Sequence, residues 1–177
     1  MIIMELAKLL KSDERILLVD VKPSKYSNVT KDIFSIMSKS GGYWIYVTIN
    51  KPFSALRDSF IRKKIDMEGI FFIDMASSSG AKKDANCLYL GDPHDLTSVS
   101  IAIDQAIGSM KGEKFIVFDS VNTLLNYNNE SMVIRFMHST TAKIRAENVR
   151  AVILSVGSMD EKISSQLAQF CDKSVKL

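Results

Sequence analysis

The stretch Phe115-Ile116-Val117-Phe118-Asp119-Ser120 constrains this chain more than any other. Two aromatic and two β-branched residues in an unbroken run predict a strand buried on both faces, which belongs inside a parallel sheet. The run ends on a carboxylate and a hydroxyl. In open α/β sheets the ligand crevice lies outside the carboxyl ends of the strands. Asp119 is therefore read either as a metal ligand at such a crevice, or as the cap of a following helix or a strand-end remnant.

The same pattern, apolar run then acid, recurs at Ile16-Leu17-Leu18-Val19-Asp20 and Ile70-Phe71-Phe72-Ile73-Asp74. Further strands are expected at Tyr43 to Ile49, at Asn86 to Leu90, at Val149 to Val156 and, as an edge, within Asp172 to Leu177. Between them the apolar period changes to that of a helix. A short N-terminal helix carries Ile2, Leu6, Leu9 and Leu10 on one face and ends near Lys11. A second runs from Ser24 to Lys39, with Ser27 or Asn28 as its cap, and a third from Phe53 to Lys64. Asp95 or Thr97 opens a fourth. After Asp119 come a short helix broken at Asn126 to Asn129, a long one through Phe136 and Ile144, and a last one through Ile163 and Leu167. Strands alternating with helices predict a three-layer, doubly wound, mostly parallel sheet flanked by helices. Ala76 to Lys83 is the most loop-like piece, and no linker divides the chain, so residues 1–177 are expected to form a single domain.

Composition narrows the partners. With 23 Lys and Arg against 20 Asp and Glu, the net charge of +3 does not by itself call for nucleic acid. The run Arg62-Lys63-Lys64 reads as a solvated helix end, where cations suit the dipole. Cys87 and Cys171 have no metal-ligand spacing and read as reduced structural thiols. His94 and His138 stand far apart without zinc-site companions, and Ser120 and Ser155 lack the turn of a hydrolase nucleophile. Trp44 and its aromatic neighbours read as core. The N-terminus has no signal-peptide pattern, and no apolar run approaches a membrane span. A soluble, cytoplasmic protein is expected.

The Asp-Ser strand end, followed by Val121-Asn122-Thr123-Leu124-Leu125, a long helix from Glu130 to Ala146 and the apolar strand Val149 to Val156, resembles the Walker B region of RecA/KaiC-like P-loop ATPases. Tyr46-Val47-Thr48-Ile49-Asn50-Lys51-Pro52 resembles the second strand of that core, and the order of elements is similar over most of the chain. The resemblance implies a RecA-like fold with a nucleotide site at the strand ends. Two departures stand against the activity. Where the family carries G-x-x-x-x-G-K-[ST], this chain has Val21-Lys22-Pro23-Ser24-Lys25-Tyr26-Ser27-Asn28-Val29-Thr30, without a glycine to curl the backbone around phosphates. The position of the glutamate that polarises the attacking water falls on Asn50 or Lys51, neither of which is a carboxylate base.

The expectation is thus a degenerate member, a pseudo-ATPase that acts as a protein-binding or regulatory module, through a partner or self-association. No cofactor is expected. The alternative is a nucleotide-binding protein, taking ATP and magnesium at an unorthodox phosphate site made from Lys22, Lys25, Asn50 and Asp119, which with Ser24 and Ser120 are the candidates for a vestigial nucleotide site. A second alternative is a receiver-like signalling domain, in which Asp20, Asp74 and Asp119 converge on one metal.

Overall fold

The computed structural model describes residues 2–9, 11–77 and 83–177. Its strands are β1 (Ile16–Val21), β2 (Tyr43–Thr48), β3 (Ile70–Asp74), β4 (Cys87–Tyr89), β5 (Lys114–Asp119), β6 (Arg150–Val156) and β7 (Lys173–Lys176). Its helices are α1 (Ile2–Leu9), α2 (Tyr26–Met37), α3 (Phe53–Lys63), α4 (Leu96–Ser109), α5 (Val121–Tyr127), α6 (Glu130–Ala146) and α7 (Glu161–Gln169). The strands form one sheet in the order β4-β3-β2-β5-β6-β1-β7, and every pairing between them is parallel. The expected three-layer α/β architecture is therefore present, with β7 at an edge as anticipated. Leu10 and residues 78–82 of the loop-like piece lie outside the described residues.

Connectivity explains the layers. From β1 through β4 the chain steps across the sheet in one direction, and from β4 through β7 it steps back. Right-handed crossovers then put α2 and α3 on one face and α4 to α7 on the other. Alternation along each strand feeds both cores. On one side Leu17, Val19, Trp44, Tyr46, Phe72, Phe115 and Val117 pack with Leu6 of α1 and with Val29, Phe34, Phe53 and Phe60 of α2 and α3. On the other, Ile16, Ile45, Val47, Ile116 and Phe118 pack with Val99 and Ile103 of α4 and Val133 and Met137 of α6. Trp44, 2% exposed, stacks on Phe115 at 4.5 Å, a core contact as expected.

Helix starts follow local chemistry. Asp95 accepts from the Ser98 N–H, Asn129 from Met132, and Asp160 from Lys162 and Ile163, each a side-chain cap. α2 differs: neither Ser27 nor Asn28 caps it, and both lie inside the helix. A single 3-10 turn, Pro23–Lys25, feeds the chain straight into it, with Pro23 fixing the entry. Among the described residues no helix is long and apolar enough to cross a membrane. Cys87 is buried, and Cys171 is partly so. Both are free, with burial pushing each thiol up to about 12.

Candidate functional site

β2 and β5 are neighbours, yet the chain leaves β2 for α3 on one face and β5 for α5 and α6 on the other. Their carboxyl ends therefore border a crevice of the kind that binds ligands in open α/β sheets. Register places Thr48 of β2 between Asp74 of β3 and Asp119 of β5. Alternation turns all three toward the α1–α3 side.

Asp119 has no exposed surface. Its Oδ2 accepts the Tyr26 hydroxyl at 2.6 Å and the Tyr46 hydroxyl at 2.5 Å, and its Oδ1 accepts the Asn50 amide at 3.2 Å. Tyr46 lies two residues before Thr48, on the same face, and its ring rises diagonally to the end of β5. Tyr26 is the first residue of α2 and closes the carboxylate from the helix side. The Asn50 amide also donates to Ser120 Oγ at 3.2 Å, while its carbonyl accepts the Thr123 hydroxyl. The hydroxyls of Ser120 and Thr123 are 3.3 Å apart. Lys51 sets its ammonium 5.0 Å from the centre of the Tyr26 ring, a cation–π contact at the mouth of the crevice.

Electrostatics follow from burial. Desolvation pushes the Asp119 carboxyl above the usual range, against the bonds from Tyr26, Tyr46 and Asn50 and the Lys51 charge, which favour the ionised form. Burial and the Asp119 charge also push both phenols up, so Tyr26 and Tyr46 act as donors. A cation fits this arrangement poorly. Magnesium takes oxygen ligands in near-octahedral geometry, whereas the three groups around Asp119 all point donors at it.

The connection from β1 to α2 is equally closed. Only residues 22–25 lie between Val21 and Tyr26. A phosphate loop needs eight residues of the form G-x-x-x-x-G-K-[ST] to wrap its N–H groups around an anion. Here Lys22 N–H is spent on the Leu177 carbonyl at 3.2 Å, and Lys25 N–H on the Lys22 carbonyl at 2.8 Å. Of the six residues expected to form a vestigial site, Asn50, Asp119 and Ser120 are thus hydrogen-bonded together. Lys22, Ser24 and Lys25 are exposed, and their side chains make no hydrogen bond or ion pair among the described residues. Lys22 instead borders a pocket of about 310 Å³ with Asp20, Pro23, Gly157, Ser158 and Lys176, at the ends of β1, β6 and β7.

Two expectations about carboxylates are corrected. Asp119 does not cap α5: Ser120 stands at the cap position and makes no side-chain cap bond, because the Asp119 carboxylate is turned into the tyrosines. Nor do Asp20, Asp74 and Asp119 converge. Asp20 alternates with Ile16 and Leu18 toward the α4–α7 face, and Asp74 stands two strands from Asp119, about 10 Å by strand spacing. Asp74 is taken up by the Phe53, Ala76 and Ser77 N–H groups and the Ser77 hydroxyl. Among the described residues no group of three potential metal ligands forms.

Sequence reasoning missed Tyr26, Tyr46 and Thr123. One signal was present for Tyr26: Lys25-Tyr26 opens α2 as Lys-[Ser/Thr] would, with a phenol in place of the small hydroxyl. Tyr46 read simply as core, because its partner is visible only once the β2–β5 register is known.

The model of the Family of unknown function (DUF7504) matches residues 15–177. No curated protein matches the sequence. Among solved structures, a KaiC-like protein from the hyperthermophilic archaeon Pyrococcus horikoshii OT3 superposes with a TM-score of 0.68 at 11% identity, covering 92% of this chain and 70% of that one. An uncharacterized protein from Pyrococcus horikoshii, in complex with an unknown peptide, superposes with a TM-score of 0.67 at 15% identity, covering 97% and 82%. At such identities the likeness establishes the KaiC-like fold alone.

Proposed function

This chain belongs to DUF7504, a family of unknown function, and we propose that it is a non-catalytic RecA/KaiC-like domain, a binding or regulatory module that acts through protein partners or copies of itself. One observation carries the reading. The strand-end carboxylate that would serve a nucleotide-bound metal is buried and held by Tyr26, Tyr46 and Asn50. Phosphoryl transfer rests on positioning and on charges that stabilise the transferring group. Here the phosphate cradle is replaced by a four-residue connection, and an amide and a lysine stand where a carboxylate base belongs. That a protein of this fold was crystallised with a peptide adds weight to protein binding.

Calorimetric titration with ATP, ADP and magnesium tests the proposal. No heat and no shift of the unfolding temperature are expected. Micromolar binding that the Asp119→Ala variant abolishes would overturn it.

The pocket beside Lys22 and Lys176 favours a second reading, a nucleotide-binding protein with an unorthodox phosphate site. The same titration separates the two. On this second reading binding persists in Asp119→Ala and is lost in Lys22→Ala, since Lys22 borders the pocket and Asp119 does not.

A further inference from the structure

Charge is distributed unevenly along this chain. Between Lys22 and Lys64 there are nine Lys and Arg and two acids, Asp32 and Asp58, a net charge of +7 in a chain whose total is +3. The remainder carries −4. Topology brings part of it together, because the two crossovers in the segment, α2 and α3, lie on the same face of the sheet and carry Lys31, Arg57, Arg62 and Lys63. The two helices meet through Phe34 and Phe60, whose rings are 4.4 Å apart edge to face. Lys31 stands one turn before Phe34, and Lys63 one turn after Phe60.

Of the nine cations only Arg57 has an ion-pair partner among the described residues, Asp84 at 3.4 Å. Lys51 faces the Tyr26 ring instead of a carboxylate. The ammonium of Lys63 is held below its usual range by burial and then by the charges of Lys31, Arg62 and Lys51, so these four share one field. Unpaired like charges repel and weaken the compact state. Asp32 and Asp58 lie on the same helices, but among the described residues neither forms an ion pair with Lys31, Lys51, Arg62 or Lys63, so the ion-pair partners of these cations come from outside.

We propose that the outer face of α2 and α3 docks an acidic protein segment that carries an apolar side chain among its carboxylates. Ile61 decides between protein and nucleic acid. At 64% exposed it is the most exposed large apolar side chain among the described residues, and it directly precedes Arg62-Lys63-Lys64 at the end of α3. A phosphate backbone offers Ile61 nothing to bury against. A segment of carboxylates around one apolar residue satisfies the cations and covers Ile61 together. This names the partner chemistry of the protein-binding reading and rests on it.

Fluorescence anisotropy with three labelled probes tests the inference: a short peptide of repeated Glu-Leu-Glu-Glu, the same peptide with Ser for Leu, and single-stranded oligothymidine. The leucine peptide is expected to bind about tenfold more tightly than the serine peptide, the yield of one buried aliphatic side chain. Its affinity should fall as salt rises. Ile61→Ser should bring the leucine peptide down to the level of the serine peptide. Arg62→Glu with Lys63→Glu should abolish binding, and Lys31→Glu on the neighbouring helix provides an independent variant should the double one fail to fold. Equal binding of the two peptides, tighter binding of oligothymidine, or binding unmoved by charge reversal would overturn the inference. Nucleotide binding would end the non-catalytic reading and leave these results to stand. Peptides that fail on a protein silent to ATP would end the inference alone.

Discussion

Tyr26 and Asp119 lie 93 residues apart in the chain, and the phenol of one donates to the carboxylate of the other at 2.6 Å. The bond joins the first turn of α2 to the end of β5 across the mouth of the crevice. With Tyr46 bonding the same oxygen at 2.5 Å, one carboxylate ties α2, β2 and β5 together. A carboxylate at a strand end thus contributes here to holding the fold closed.

Removing the two phenols has unequal effects. Tyr46 is wholly buried, so Tyr46→Phe leaves a desolvated carboxylate short of a donor that no water replaces, a loss of about 1–3 kcal/mol. Tyr26 is only partly buried, and water can take its place, so Tyr26→Phe should lose about 0.5–1.5 kcal/mol. Urea midpoints at neutral pH give both numbers. An equal loss would mean that water does not reach the crevice.

The fold was legible because strand interiors and helix periods are local properties. Phe115 to Asp119 and Ile16 to Val21 declare themselves as buried parallel strands without reference to anything distant. The Asp-Ser strand end pointed to a KaiC-like fold for the same reason. The closure of the site was not legible. It depends on Tyr46 standing diagonal to Asp119, which is a matter of register, and on Tyr26 reaching it, which is a matter of how four residues turn between β1 and α2. Asp119 and Asp74 look alike in sequence, both ending apolar strands. Only the neighbours separate them: one meets two phenols and an amide, the other mostly backbone N–H groups.

Asp74 is a clamp for the chain on either side of β3. It accepts the N–H groups of Phe53, Ala76 and Ser77 at 2.8 to 2.9 Å, fixing the start of α3 to the exit of β3. Asp74→Ala orphans these donors and should cost about 3 kcal/mol, whereas Asp74→Asn keeps part of the set and costs less. Added magnesium should leave the unfolding temperature of the parent protein unchanged. A rise that Asp74→Ala abolishes would show a metal role for this carboxylate.

Gly41 and Gly42 separate backbone strain from crowding. Both have left-handed φ, +70° and +72°, so alanine at either costs roughly 1–2 kcal/mol. A Cβ on Gly41 meets nothing within 4 Å, but one on Gly42 comes within 2.9 Å of the Phe115 ring and 3.0 Å of the Glu113 carbonyl. Gly42→Ala should therefore be less stable than Gly41→Ala by about 1–3 kcal/mol in matched urea titrations. Equal losses would mean that the start of β5 yields to the added methyl.

The buried carboxylate also gives stability a pH dependence of definite sign. Asp119 is held above its unfolded value of about 3.9, chiefly by burial. The folded protein therefore binds this proton more tightly than the unfolded chain does, so the stability linked to it is complete below about pH 3.9 and is lost as pH rises through the folded value. Asp172 has the opposite sign. Burial raises it, but the N–H groups of Arg15 and Ile16 and the guanidinium of Arg145 outweigh that and hold it low. Its contribution is present above about pH 3.9 and lost as pH falls. Asp119→Asn keeps the shape and removes the charge, so above about pH 3.9 its stability should fall less with rising pH than that of the parent. Below about pH 3.9 the two curves should run parallel, both governed by groups such as Asp172. Chemical denaturation at a series of pH values reads the difference, and parallel curves throughout would show that the donors around Asp119 offset its burial completely.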